Sequence, residues 1–101
     1  MADRDGCRIL FLLELEPEHW RRHDRAFWAR TLAAAVEETA PDTMRVENYE
    51  LQDMKLLVRA KAKYAPKTMW KLLSEDEKFL RLRSRLIDLG AHPEFEIKDN
   101  G

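Results

Sequence analysis

All three histidines of this 101-residue chain belong to a set of residues that could carry out acid–base or metal chemistry. His19 and His23 are four positions apart, so both would point from the same side of a helix. Two imidazoles with a carboxylate or a third imidazole can bind Zn²⁺, and the candidate ligands are His19, His23, His92 and Glu16. A histidine can instead transfer protons near neutral pH, with His92, His23 and Glu14 as candidate catalytic residues.

The zinc prediction has a plain alternative, in which these histidines are solvated side chains on the polar flank of a helix. The full HExxH motif of zinc hydrolases is absent, because no glutamate lies between His19 and His23. The sequence therefore predicts no cofactor, with Zn²⁺ as the one alternative.

A second set of residues could hold an anionic ligand: Arg8, Arg59, Lys61 and Tyr49. Lys61 belongs to a basic run from Lys55 to Lys71 that contains no acidic residue. A helix that begins near the end of this run could hold a phosphate or carboxylate at its first turn. The alternative is that the lysines are solvated and pair with the acidic segment before them.

Several kinds of chemistry have no support in the sequence. The single cysteine, Cys7, cannot form an internal disulfide, no CxxC spacing exists, and no histidine is expected near it to activate the thiol. Three glycines are too few for a phosphate-binding loop, and neither GxSxG nor GxGxxG occurs. We interpret Cys7 as a structural residue.

The elements that must position these residues follow from the apolar periodicity. Arg8 to Glu16 alternates as a strand, and Pro17 opens an amphipathic helix that extends to about Glu38. Met44 to Glu50 and Leu56 to Tyr64 are predicted strands of a hairpin whose connection of about three residues lies near Leu51 to Asp53. That register would put Tyr49 on the face opposite the helices.

A second helical region and a last strand complete the order β-α-β-β-α-β. The helical region begins at Pro66 and is predicted to be interrupted near Ser74, where Ser-Glu-Asp-Glu has the spacing of a capping box. Gly90 is placed where a left-handed C-cap belongs, and Glu94 to Lys98 alternates as a strand. This order predicts a single domain over residues 1–101, an antiparallel four-stranded sheet with two helical layers on one face. In that fold Glu14, Glu16 and the histidines lie towards one rim.

The uncovered face of the predicted sheet has leucines at its centre and charges of both signs around them. Leu10, Leu12 and Leu57 are the candidate interface residues, because an apolar patch with a charged border is typical of a surface that meets a partner. This layout resembles the dimeric α+β barrel superfamily, in which two ferredoxin-like sheets pack face to face. That superfamily includes antibiotic-biosynthesis-type monooxygenases, muconolactone-isomerase-like enzymes and stress-responsive barrel proteins. The resemblance is one of architecture and no family motif is present, so it implies a homodimer but no particular activity.

Three functional hypotheses remain open. The first is a small homodimer that binds or transforms a small anionic organic ligand at the sheet face, with or without catalysis. The second is a non-catalytic module that binds a protein partner through the leucine-centred face. The third is a binder of nucleic-acid backbone through the Lys55–Lys71 run, which is disfavoured because outward aromatic residues for base stacking are lacking on the central strands.

Composition limits the class of protein. Apolar residues make up 45% of the chain and charged residues 37%, and the net charge is −1. The apolar share is typical of a globular domain, whereas the charged share is well above the usual quarter. A net charge this close to zero does not favour nucleic acid or an acidic membrane as a partner. With one cysteine and no stretch long enough for a signal or membrane segment, we expect a soluble cytoplasmic protein.

Overall fold

The computed structural model describes residues 6–22 and 24–99, with the side chains of His19, Trp20, Arg22 and Asp99 left undescribed. Within these residues there are four strands and four helices. In chain order they are β1 (Cys7–Leu15), α1 (Pro17–Arg22), α2 (Arg25–Thr39), β2 (Met44–Gln52), β3 (Lys55–Ala62), α3 (Pro66–Glu75), α4 (Glu77–Asp88) and β4 (Ala91–Asp99).

The four strands form one antiparallel sheet in the order β2-β3-β1-β4. Strand β1 is central and has β3 on one side and β4 on the other. The helices between the strands all pack on the same face of the sheet. This is the ferredoxin-like α+β arrangement predicted from the order of elements.

One face of the sheet is covered by helices and holds the core. Alternate residues of β1 and β3, such as Ile9, Leu13 and Val58, are at most 1% exposed. Helix α2 buries Leu32 and Val36 against them. The remaining core side chains come from α3 and α4, and they include Met69, Leu73, Phe79, Leu82 and Leu86. The opposite sheet face is left free of helices, and it is called the open face below.

Both helical regions are broken, the first where one continuous helix was expected and the second where an interruption was predicted. The predicted helix from Pro17 to Glu38 is two helices, and the second begins after the N-cap residue Asp24. The second region is interrupted as predicted, but the break is at Asp76 instead of Ser74. Asp76 has extended backbone and ends α3 with its N–H donating to the Leu72 carbonyl. Gly90 follows α4 with φ of 85°, so the predicted left-handed cap is confirmed.

The β2–β3 hairpin differs from the prediction in its turn and its pairing. The turn has two residues, Asp53 and Met54, and Asp53 has φ of 54°, which aspartate tolerates better than most residues. A β-bulge between Val46 and Asn48 leaves Glu47 as an extra residue. The bulge moves Tyr49 opposite Val58, which is fully buried under the helices.

Tyr49 therefore lies on the helix-covered face, and its predicted place on the open face is wrong. The alternation of β2 changes phase at Glu47, and a pattern read through the bulge without a break assigns the following residues to the wrong face. Tyr49 cannot share a ligand on the open face with Arg8 and Lys61.

Several aromatic side chains are exposed instead of lying in the core. Phe27 is 46%, Tyr64 41% and Trp70 57% exposed, whereas Trp28, beside Phe27, is buried. No helix among the described residues is both long and apolar enough to cross a membrane.

Candidate functional site

The open face is an ordered grid, because the pairing of all four strands fixes which residues lie side by side. Cross-strand partners point to the same face of a sheet, about 5 Å apart. Read across β2, β3, β1 and β4, the grid has four rows. They are Gln52-Lys55-Glu14-His92, Glu50-Leu57-Leu12-Glu94, Asn48-Arg59-Leu10-Glu96 and Arg45-Lys61-Arg8-Lys98.

The centre of the grid is apolar. Leu10, Leu12 and Leu57 are partly buried and adjacent, with Leu12 directly opposite Leu57. Glu94 and Glu96 border them on β4, and both are exposed. The leucine-centred face that the sequence predicted is therefore present as one contiguous patch.

The last row of the grid carries a positive charge on every strand, and we call Arg45, Lys61, Arg8 and Lys98 the cationic row. All four side chains are exposed. Among the residues that the structure describes, none of the four forms a salt bridge. Like charges directly opposite one another on neighbouring strands are destabilising, so this row has an electrostatic cost that a bound anion would relieve.

A hollow of about 380 Å³ lies between the cationic row and the apolar centre, within the usual size of small-molecule sites. It is lined by Arg8, Ile9, Leu10, Glu47, Asn48, Arg59, Ala60 and Lys98. Arg59 is held in place from β2, because its Nη1 donates to Asn48 Oδ1 at 3.1 Å and lies 3.5 Å from Glu50 Oε2. The hollow thus combines three cations with one acidic residue, Glu47, from the bulge.

The opposite end of the open face carries the predicted acid–base residues. His92 Nε2 lies 2.9 Å from Glu16 Oε1, and we call these two residues the rim pair. Glu14 is the cross-strand partner of His92. The two strands are joined further at this end by a bond from the Glu16 N–H to the Gly90 carbonyl, 2.9 Å long. Both side chains of the rim pair are about half exposed, at 56% and 41%.

The rim pair and the cationic row are too far apart to act on one small ligand within a single chain. Arg8 and Glu14 are six residues apart on β1, which corresponds to about 20 Å along an extended strand. Arg59 is one row closer to the rim, at about 13 Å by the same spacing. The structure therefore separates the predicted catalytic residues from the predicted ligand-binding residues.

The structure tests only two of the four candidate zinc ligands. His92 and Glu16 are in contact, the side chain of His19 is not described, and His23 lies outside the described residues. Among the side chains that are described, no group of three His, Cys, Asp or Glu residues could hold a metal ion.

The basic run from Lys55 to Lys71 does not form one surface. Lys55 and Lys61 are in the first and last rows of the open face. Lys67 and Lys71 are exposed residues of α3, which packs over the other face of the sheet. Of the basic run, Arg59 forms a salt bridge with Glu50 of the acidic strand β2. Among the described residues, no lysine of the run forms one.

A second concave region, the aromatic cleft, lies where α3 and α4 meet the outer strand β4. Its volume is about 530 Å³. The Trp70 ring packs edge-on against Phe95 with the ring centroids 5.2 Å apart. The other residues that line it are Phe11, Leu12, Leu73, Ser74, Phe79, Leu80, Leu82, Arg83, Leu86, Pro93, Glu94 and Glu96. Sequence analysis missed this cleft, because the apolar spacing of Trp70 in α3 is also that of a core residue.

Arg45 and Lys98 were also missed as partners of Arg8 and Lys61. Each is an ordinary exposed cation of an alternating strand, and its position in the cationic row depends on the register of two separate strand pairs. Strand alternation alone does not align the four cations; the register of all three strand pairs is needed.

Comparisons with known proteins agree with the fold and add no closer relationship. No protein-family model matches the chain, and no curated protein matches it. A solved structure with a similar fold is a "putative antibiotic biosynthesis monooxygenase" from Deinococcus radiodurans. It is 15% identical over 94% of this chain and 92% of that one, with a TM-score of 0.60. At this identity the similarity is one of fold.

Proposed function

We propose that the protein is a homodimer that associates through the open face and binds or transforms a small anionic organic ligand there. The observation that carries the proposal is the hollow, where Arg8, Arg59 and Lys98 surround a site bordered by the leucine centre. The Deinococcus protein of similar fold is named for the chemistry of small organic molecules, which supports a small ligand over a macromolecule.

The dimer follows from the apolar centre of the open face. Leu10, Leu12 and Leu57 are adjacent and partly exposed, and a second copy would remove them from water. Charges of both signs around the leucines give such a contact a polar rim, as in protein interfaces generally.

The dimer is tested by replacing Leu12 with glutamate and measuring solution mass by light scattering at low protein concentration. A charge without a partner at the centre of an interface costs several kcal/mol, so Leu12→Glu is expected to raise the dissociation constant by roughly 100-fold or more. Ile87→Glu is the matched control, because Ile87 is 44% exposed on α4, away from the open face.

A dimeric wild type that becomes monomeric only with Leu12→Glu supports the proposal. A monomeric wild type would refute it. That outcome would favour the alternative of a protein-interaction module, since the leucine centre would then be free to bind a different protein.

The ligand is tested by thermal unfolding in the presence of a panel of small organic anions. Stabilisation that Arg8→Ala abolishes would support the site, and stabilisation that persists in that variant would contradict it.

We also propose that the rim pair supplies the acid–base group if the ligand is transformed. His92 contacts Glu16, which fixes the orientation of its ring, and Glu14 is beside it on β1. Since the hollow is at the other end of the same face, the rim pair of one copy can reach only the hollow of a second copy, across the interface.

A further inference from the structure

We propose that the ligand of the open face carries a phosphate or diphosphate group, bound by the cationic row. This inference rests on the proposed ligand site and names the chemical class that the site would select. Two independent observations point to it: the alignment of four cations in one row, and the hollow beside that row.

The alignment sets the amount of negative charge that the site needs. Arg45, Lys61, Arg8 and Lys98 are consecutive partners across the sheet, and neighbouring strands are about 4.8 Å apart. A single carboxylate brings one negative charge and leaves most of the mutual repulsion in place. A phosphate ester carries about 1.5 to 2 negative charges at neutral pH and three strong acceptor oxygens, and a diphosphate carries more over a greater length.

The kinds of cation also favour a phosphate. Arg8 and Arg45 alternate with lysines along the row. Guanidinium groups donate two parallel hydrogen bonds to phosphate oxygens, and lysines add point charges that adapt to the ligand.

The hollow gives the organic part of the ligand a place beside the row. Leu10 lines the hollow next to Arg8, so an apolar portion attached to the phosphate would lie towards the leucine centre. Arg59 is already engaged by Asn48 and Glu50. Within residues 6–22 and 24–99, Arg8 and Lys98 have no such ion pair, so they are the cations of the hollow that a ligand would meet.

Glu47 opposes the anion within the same hollow. It is the extra residue of the β-bulge, is exposed, and lines the hollow with Arg8 and Lys98. Its carboxylate should repel a phosphate, and this gives the proposal a variant that tightens binding. A residue that merely supported the fold would not have that effect.

The experiment is isothermal titration calorimetry of the wild-type protein with sodium pyrophosphate, phosphate and acetate at one fixed ionic strength. Affinity is expected in the order pyrophosphate, phosphate, acetate. Removing a charge-assisted hydrogen bond with Arg8→Ala should weaken pyrophosphate binding about tenfold, and Lys98→Ala provides a second such variant. Glu47→Gln should strengthen binding. Lys71→Ala, an exposed lysine of α3 on the other face of the sheet, is the matched control and should leave the affinity unchanged.

The outcomes separate this inference from the function on which it rests. Acetate bound as tightly as pyrophosphate, with the same dependence on Arg8, would overturn the phosphate assignment and leave the anion site intact. No binding of any of the three would overturn both. Equal weakening by Lys71→Ala would reveal nonspecific attraction to the protein and would likewise overturn the assignment.

A final titration, with single-stranded DNA, distinguishes a small phosphate-bearing ligand from nucleic-acid backbone. A ten-nucleotide single-stranded DNA presents the same group on a polymer, and its binding falls steeply with salt concentration. If the oligonucleotide binds the row more than about tenfold tighter than pyrophosphate, the occupant is nucleic-acid backbone and the small-molecule assignment is wrong.

Discussion

The rim pair joins residues from two elements that are distant in the sequence, since Glu16 directly follows β1 and His92 is the second residue of β4. A carboxylate that accepts from one ring nitrogen fixes the plane of the ring. Both side chains are partly exposed, so the pair is open to a ligand or a metal ion from solvent.

Zinc binding at the rim is the prediction that belongs to these residues. If the rim binds Zn²⁺, saturating Zn²⁺ should raise the melting temperature of the wild type, because a metal that binds only the folded state stabilises it. The double variant His19→Ala plus His23→Ala is expected to lose this shift, and so is His92→Ala. Thermal unfolding with and without the metal measures it, and an unchanged wild type, or equal shifts in all three proteins, would end the zinc hypothesis.

Single side chains were predicted best where the alternation of a strand is regular. Leu10 and Leu12 lie on the open face as expected because β1 pairs without a shift on both sides. Tyr49 was misplaced because β2 contains an extra residue. The exposure of Trp70 could not be predicted, because exposed and buried apolar residues share the same helical spacing. Neither feature has a signal in a single sequence.

At the scale of elements, the connection between α4 and β4 determines where His92 is placed. Gly90 has φ of 85° and its N–H donates to the Ile87 carbonyl, while its own carbonyl accepts from Glu16. Strand β4 begins at the next residue, three residues earlier than the alternating pattern indicated. The pattern was read too short because Pro93 interrupts it, and an outer strand tolerates proline.

Gly90→Ala is expected to destabilise the protein by about 1 to 2 kcal/mol, because a β-carbon is disfavoured at positive φ. Urea unfolding would measure the change. Ser84→Ala on the exposed side of α4 is the control, with an expected change within about 0.5 kcal/mol. Equal stability of Gly90→Ala and the wild type would show that this turn adopts another conformation.

The helix breaks were less predictable than the strands. Ser74 has the better capping-box spacing, yet the backbone turns at Asp76 because Leu73 is buried as a residue of α3. Burial of one apolar side chain outweighs a cap worth about 1 kcal/mol.

At the scale of the whole molecule, the grid of charges restricts how two open faces can meet. A twofold axis parallel to the strands would stack the cationic row of one copy on that of the other. An axis across the strands turns the second copy end for end and puts its first row, with Glu14 and His92, over the cationic row. We expect this second arrangement, since it places Glu14 of one copy opposite Arg8 of the other, which lowers the repulsion, and since it brings the rim pair to the hollow.

A double variant, Arg8→Cys plus Glu14→Cys, tests the arrangement with a short bis-maleimide cross-linker. The two thiols are about 20 Å apart within one chain but would face each other across the end-for-end dimer. The native thiol of Cys7 is buried and should not react. A covalent dimer is expected from the double variant and not from either single variant.

A covalent dimer formed by mixing the two single variants Arg8→Cys and Glu96→Cys would instead contradict the arrangement; the variants are kept on separate chains because these positions are diagonal neighbours about 8 Å apart within one chain. It would indicate a quarter turn between the sheets, in which Arg8 meets Glu96 of a second copy.

Glu47 is the one residue of β2 that the pairing with β3 does not require. Its neighbours Val46 and Asn48 pair with the adjacent residues Ala60 and Arg59, so the ladder would continue without a gap if Glu47 were absent. A shortened chain would keep every other side chain of β2 on its present face. The length of this strand can therefore differ by one residue among related proteins. A sequence comparison that did not allow that deletion would assign the residues on one side of it to the wrong face of the sheet.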